Sequence, residues 1–143
     1  MSCIGSRNIG VPTGHHLMME LFECDPVALD TPLVVERALL LAAKRADTQV
    51  LGSLIREFQP QGVTCVLIVA ESHISAHTWP EYCYAAVDFF TCGVRPPQDV
   101  LDLLRVEFSA NRVSHMTIRR GNELGVSLEE TPSAPRWSKE YGR

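Results

Sequence analysis

The longest apolar stretch of the chain, Val63 to Ala70, is the feature that most limits the fold. It is far short of the roughly 20 residues a membrane-spanning helix needs. It suits a strand buried within a sheet, and it stands directly behind the turn Gln59-Pro60-Gln61-Gly62. A second β-prone run, Val50 to Phe58, lies on the other side of that turn. Two short runs joined by a four-residue Pro/Gly turn predict a hairpin. From His16 onward, Leu17, Met19 and Leu21 alternate with His16, Met18 and Glu20, the period of a strand with one buried face. Cys24-Asp25-Pro26 breaks that strand. Tyr84 to Cys92 and Arg112 to Arg119 read as further strands.

Helical patterns flank these runs. Thr31 can cap a helix and Pro32 suits its first position, where the missing N–H has no intrahelical partner. Val35, Leu39, Ala42 and Ala46 then form one apolar stripe. Pro96-Pro97 opens a second helix, with Val100, Leu104 and Phe108 on one face and an end near Ala110. Residues 1–13 and the stretch from Gly121 to the end read as loose tails. Strands bunched between two helices predict an α+β fold over residues 1–143, one domain. Its form is a two-layer sandwich, a mainly antiparallel sheet with two helices on one face. The sequence holds neither a G-x-G-x-x-G nor a P-loop, so nothing marks a dinucleotide or nucleoside-triphosphate site.

Composition narrows the partners. Thirteen Lys and Arg against seventeen Asp and Glu give a net charge of −4, opposite in sign to the basic excess of a duplex nucleic-acid binder. No signal peptide is read in the first thirty residues, so the expectation is a soluble cytoplasmic protein with no membrane partner. Hydrophobic residues make up 45%, enough for a core without a disulfide scaffold. The five cysteines, Cys3, Cys24, Cys65, Cys83 and Cys92, are odd in number and contain no C-x-x-C pair. That argues against a secreted disulfide framework and a four-thiolate zinc site.

The segment from Glu71 to Glu81, ESHISAHTWPE, interrupts the strand pattern with hydroxyls, imidazoles, carboxylates and an indole. Such a polar run behind a buried strand is where a scaffold presents reactive groups. Three readings of the residues alone stay open. His73 and His77 are four apart and could share a helix face as metal ligands, though Pro80 and the missing H-E-x-x-H glutamate oppose this. Ser72, His77 and Asp88 could be a nucleophile, base and orienter, without the G-x-S-x-G elbow. The third reading is a polar loop with capping serines and satisfied histidines.

The longer block Glu71 to Gly93, ESHISAHTWPEYCYAAVDFFTCG, resembles the signature of the prokaryotic pyruvoyl-dependent S-adenosylmethionine decarboxylase proenzymes. Gly14-His15-His16-Leu17, Glu23-Cys24-Asp25 and Phe58-Gln59-Pro60-Gln61-Gly62-Val63 extend the resemblance over most of residues 14 to 120. Cys83 departs from it, standing where the family usually has glycine.

The resemblance implies self-cleavage between Glu71 and Ser72, giving a β chain 1–71 and an α chain 72–143 that begins with a pyruvoyl group. This covalent group, derived from Ser72, would be the cofactor, with no metal and no pyridoxal phosphate. It would form a Schiff base with S-adenosylmethionine and take up the electrons left by CO₂, yielding the aminopropyl donor for spermidine biosynthesis. Residue by residue, the resemblance makes His77 the proton acceptor in self-processing and Cys92 the proton donor to the substrate α-carbon. Thr64, at a position where the family often has serine, would assist processing. Phe58 and Trp79 would sandwich the adenine and face the sulfonium, and Glu81 would hold the ribose hydroxyls. It also implies a homodimer of αβ protomers with facing sheets, a four-layer α/β/β/α arrangement. Two rivals remain: a pyruvoyl decarboxylase of ornithine or arginine, and a non-catalytic paralogue acting as a binding subunit. The mark of the latter would be loss of Ser72, His77 or Cys92, and all three are present.

Overall fold

The computed structural model describes residues 14–92, 98–122 and 125–128. Among these, seven strands form one sheet in the order β2-β3-β4-β5-β1-β6-β7, and every paired neighbour is antiparallel. The strands are β1 (Gly14–Phe22), β2 (Val50–Glu57), β3 (Val63–Val69), β4 (Ser72–Trp79), β5 (Tyr84–Cys92), β6 (Arg112–Asn122) and β7 (Gly125–Leu128). The helices are α1 (Pro26–Leu29), α2 (Pro32–Arg45) and α3 (Asp99–Glu107). Among the described residues no helix is long and apolar enough to cross a membrane.

Alternation decides which face of the sheet is covered. Leu17, Met19 and Leu21 of β1, Cys65, Leu67 and Val69 of β3, and Ala85, Val87 and Phe89 of β5 are buried. They pack with Val35, Ala38, Leu39, Ala42 and Ala43 of α2 and with Val100, Leu101 and Leu104 of α3. The expected α2 stripe is thus wider than its sequence pattern, because Ala38 and Ala43 also turn inward. Phe108 is fully buried just beyond α3. The other face carries His16, Met18 and Glu20, Thr64, Val66 and Ile68, and Asp88 and Phe90, with no helix over it among the described residues.

The β2–β3 hairpin forms where the Pro/Gly turn places it. Gly62 adopts φ 104°, and a Cβ there would lie 3.0 Å from the Thr78 carbonyl oxygen. Asp30 accepts the Gly62 N–H at 2.9 Å, tying α1 to this turn.

Several elements differ from the sequence expectation. Residues 72–79 are a full strand rather than an interruption: Ile74, Ala76 and Thr78 fill the covered face while His73, Ser75 and His77 take the open one. Pro26 opens a short helix, with Asp25 capping it by accepting the Val27 N–H at 2.9 Å. Thr31 makes no side-chain cap for α2; its hydroxyl donates instead to the Val27 carbonyl, 2.7 Å away. Pro32 does occupy the helix start. β6 runs on to Asn122 and β7 pairs with it, where the sequence reads as an irregular tail. The expected tail 1–13, the remainder of the C-terminal tail and Pro96-Pro97 lie outside the described residues.

Thr78 shows why a polar residue can occupy the covered face. Its hydroxyl accepts the Val63 N–H and donates to the Leu29 carbonyl, each at 2.8 Å. Thr78→Val keeps the shape and leaves both backbone groups without that partner, so unfolding free energy should fall by about 1–3 kcal/mol in a denaturant titration.

Three buried or shielded groups set the alkaline limit of this fold. Burial, helped by the nearby Cys83 thiol, pushes the Cys24 thiol up to about 12. Burial raises Cys65 to about 11, with Glu36 adding to the shift and a Ser53 hydrogen bond opposing it. Desolvation, then the hydrogen bond to Glu20 and the charges of Glu20 and Asp88, push Tyr84 to about 12. In each case the unfolded chain releases its proton first, so the folded state binds more protons as pH rises. The contribution of these three groups to stability should therefore be constant below about pH 9, the unperturbed thiol value, and fall progressively as pH rises from there toward about 12. Urea midpoints measured across that range test this.

Candidate functional site

The β3–β4 hairpin turns at Ala70 and Glu71, and Ser72 is the first residue of β4. Cys92, the last residue of β5, stands beside that turn. Its thiol donates to the Glu71 carbonyl oxygen, with Sγ···O 3.6 Å. Ser72 and Cys92 are both partly buried. Residues far apart in the chain thus meet at the Glu71–Ser72 peptide bond.

A second group forms toward the opposite end of β4. Thr64 on β3 lies opposite His77 on β4, and Thr64 Oγ1 is 2.9 Å from His77 Nδ1. The His77 and Trp79 rings are 6.5 Å apart. Trp79 is 39% exposed and stacks on Tyr84 at 5.2 Å and 22°. Tyr84 in turn donates to Glu20 and stacks on Phe22, over which Arg112 lies 3.9 Å from the ring centroid. Glu81 is exposed on the single 3-10 turn Pro80–Tyr82 that follows Trp79. Phe58, half exposed, follows β2, and its N–H donates to the Gly62 carbonyl at 2.8 Å. The Glu57–Val63 pairing and the Val63–Thr78 hydrogen bond put Phe58 at the Trp79 end of the sheet.

The sequence-selected residues therefore divide in two: Glu71, Ser72 and Cys92 at one end, and Thr64, His77, Phe58, Trp79 and Glu81 at the other. Ser72 and His77 are five residues apart on one strand, about 16 Å at 3.3 Å per residue. Strand alternation also puts them on opposite faces. Within one copy the two groups do not meet.

The same geometry removes the three readings left open by the residues alone. His73 and His77 share a face, but on a strand they stand about 13 Å apart, too far to ligate one ion. Among the described residues no group of three His, Cys, Asp or Glu could hold a metal. Asp88 does not orient His77: it sits opposite Ser75 and pairs with His16 Nε2 at 2.8 Å. The polar-loop reading fails because residues 72–79 form a strand.

Sequence reasoning passed over the residues between the two ends. The His16 ring lies 5.6 Å from that of Phe90, His73 lies 5.9 Å from it, and Arg120 lies 4.6 Å above it. Gly14 leaves room for this ring, since a Cβ there would come within 2.4 Å of Phe90 Cε2. The alternation at His16, Met18 and Glu20 hinted at a shared open face, but only the fold sets His16 opposite Phe90 and within a diagonal hydrogen bond of Asp88.

Comparison with known proteins gives this arrangement its context. A family model described as S-adenosylmethionine decarboxylase matches residues 15–121. The S-adenosylmethionine decarboxylase proenzyme of Acidithiobacillus ferrooxidans is 42% identical over 125 residues, covering 85% of this chain and 94% of that protein. The proenzyme of Parasynechococcus marenigrum is 44% identical over 115 residues, covering 80% and 90%. The crystal structure of the adenosylmethionine decarboxylase from Aquifex aeolicus superposes with a TM-score of 0.70 at 30% identity, covering 87% of this chain and all of that one. The match spans both ends of the site and nearly the whole described sheet, and the chain belongs to the S-adenosylmethionine decarboxylase family.

Proposed function

We propose that this chain is a self-cleaving proenzyme whose product decarboxylates S-adenosylmethionine by means of a pyruvoyl group made from Ser72. The observation that carries this reading is the Cys92 thiol on the Glu71 carbonyl oxygen, 3.6 Å away, at the bond to be cut. Ser72 Oγ attacks the Glu71 carbonyl carbon, and the C–N bond is exchanged for an ester as the Oγ proton passes to the freed Ser72 nitrogen. The Cys92 S–H faces the oxygen on which negative charge develops, the placement that oxyanion stabilisation needs. Removal of the Ser72 α-proton then expels the Glu71 carboxylate by β-elimination. The resulting dehydroalanine tautomerises and hydrolyses, losing ammonia.

The donor set fits the group so formed, since a thiol already stands beside position 72 and no cation competes for it among the contacts described. The pyruvoyl carbonyl supplies an electron sink for decarboxylation. Cys92 delivers a proton from Sγ to the substrate α-carbon. Phe58 and Trp79 offer flat π faces to the adenine and the sulfonium, and Glu81 accepts hydrogen bonds from the ribose hydroxyls. Tyr84, stacked on Trp79 and held by Glu20, keeps that indole in place.

The separation of the two groups requires a second copy. In this reading two chains pack with their open sheet faces together, giving the four-layer α/β/β/α homodimer. The hairpin end of one copy, where Cys92 lies on the open face beside the Glu71–Ser72 bond, then meets His77, Thr64, Phe58, Trp79 and Glu81 of the other, and a two-fold axis yields two such sites. His77, its Nδ1 engaged by Thr64, takes the Ser72 α-proton across the interface. The open face supports this, because Leu54, Ile68, Met116 and Trp79 leave large apolar side chains exposed on it.

The substrate is tested by measuring CO₂ release from S-adenosylmethionine, ornithine and arginine side by side. Release from S-adenosylmethionine alone is expected. Faster release from either amino acid would overturn the substrate assignment while leaving the pyruvoyl chemistry standing.

A further inference from the structure

Cys83 takes no part in the chemistry above, yet its position is unusual. It closes the 3-10 turn in the left-handed conformation, φ 50° and ψ 40°. Glycine enters that region freely and residues with a Cβ seldom do. The Cys83 carbonyl accepts the Cys24 N–H at 3.0 Å. That bond ties the turn after β1 to the turn before β5. That contact brings the two residues together backbone to backbone, and a disulfide needs Cα atoms roughly 4.4–6.8 Å apart. Both cysteines are free thiols, Cys24 buried and Cys83 partly exposed. The Cys83 thiol is also close enough to act electrostatically on Cys24.

We propose that Cys24 and Cys83 form a disulfide when a small-molecule disulfide such as oxidised glutathione is present. Resting on the cleavage reading, this bond would join the 1–71 chain to the 72–143 chain. Cys83, the more accessible thiol, loses its proton and attacks one sulfur of the small disulfide, displacing one thiolate. Cys24 then attacks the Cys83 sulfur, its proton passing to the departing second thiolate. One external disulfide is reduced to two thiols, and two protein thiols are oxidised to one disulfide. The linkage fixes the turn that carries Glu81, two residues before Cys83, to the end of β1.

The test incubates the purified full-length protein with reduced or oxidised glutathione, blocks free thiols and maps the peptides by mass. Oxidised glutathione should yield a Cys24–Cys83 linked peptide that is absent with the reduced form. It should also be absent in Cys24→Ser and in Cys83→Gly, a change that suits the left-handed backbone. On a non-reducing denaturing gel, oxidised protein should run as one species near 15.9 kDa, and reduced protein as two of about half that mass. Both cysteines recovered alkylated, or Cys83 glutathionylated with no linked peptide, would overturn the proposal. If cleavage itself fails, the gel shows one species in both conditions while the linked peptide still reports on the disulfide.

Discussion

Ser72→Ala is expected to remain a single 15.9 kDa chain and to lose CO₂ release by a factor on the order of 10⁴ or more. The size follows from the chemistry. On the proposed mechanism the pyruvoyl carbonyl is the entire electron sink, and without the Ser72 hydroxyl there would be nothing to make it from. Folding should be unaffected, because Ser72 is only partly buried at the start of β4 and its backbone pairing with Val69 survives the change. A circular-dichroism melt matching that of the parent, together with an uncut chain on a reducing gel, separates a chemical loss from a structural one. Cleavage of Ser72→Ala at the same bond would show that the hydroxyl is not the nucleophile.

The second large effect comes from the division of the site. His77→Ala and Ser72→Ala should each be nearly inactive as pure proteins. Co-expressed, they should recover about a quarter of wild-type turnover, since half the dimers are mixed and each mixed dimer has one complete site of two. The complete site takes Ser72 and Cys92 from the His77→Ala copy and His77 from the Ser72→Ala copy. In the mixture only the His77→Ala chain should be cut. No recovery would mean that Ser72 and His77 of the same copy act together, which the distance of about 16 Å along β4 opposes.

The fold was largely legible from alternation and turn chemistry. β1, the β2–β3 hairpin, β5, α2 and the start of β6 stand where apolar period and Pro/Gly punctuation put them. β4 was hidden because its covered face is built from Ile74, Ala76 and Thr78, two of them small or polar, while histidines and serine fill the open face. That mixture reads as polar although its period is that of a strand. α1 was hidden because Pro26 marks a break and a helix start equally well, and only the Asp25 cap decides between them.

The candidate site residues were nominated by the resemblance carried by the Glu71–Gly93 block and the stretch through Phe58 and Thr64. Their arrangement was not legible. Once residues 72–79 are extended, spacing alone separates Ser72 from His77. Nothing local in the sequence announces that the run is a strand, or that Asp88 bonds to His16 rather than to His77. Cys83 shows the same limit: a thiol in place of glycine is visible in the sequence, but its backbone bond to Cys24 belongs to the folded chain.

The most direct measurement is the intact mass of the purified wild-type protein under reducing conditions. Two chains are expected, 1–71 and 72–143, the second with a blocked N-terminus and lighter by the ammonia lost in forming the pyruvoyl group. A single 15.9 kDa species that persists through long incubation would contradict the account.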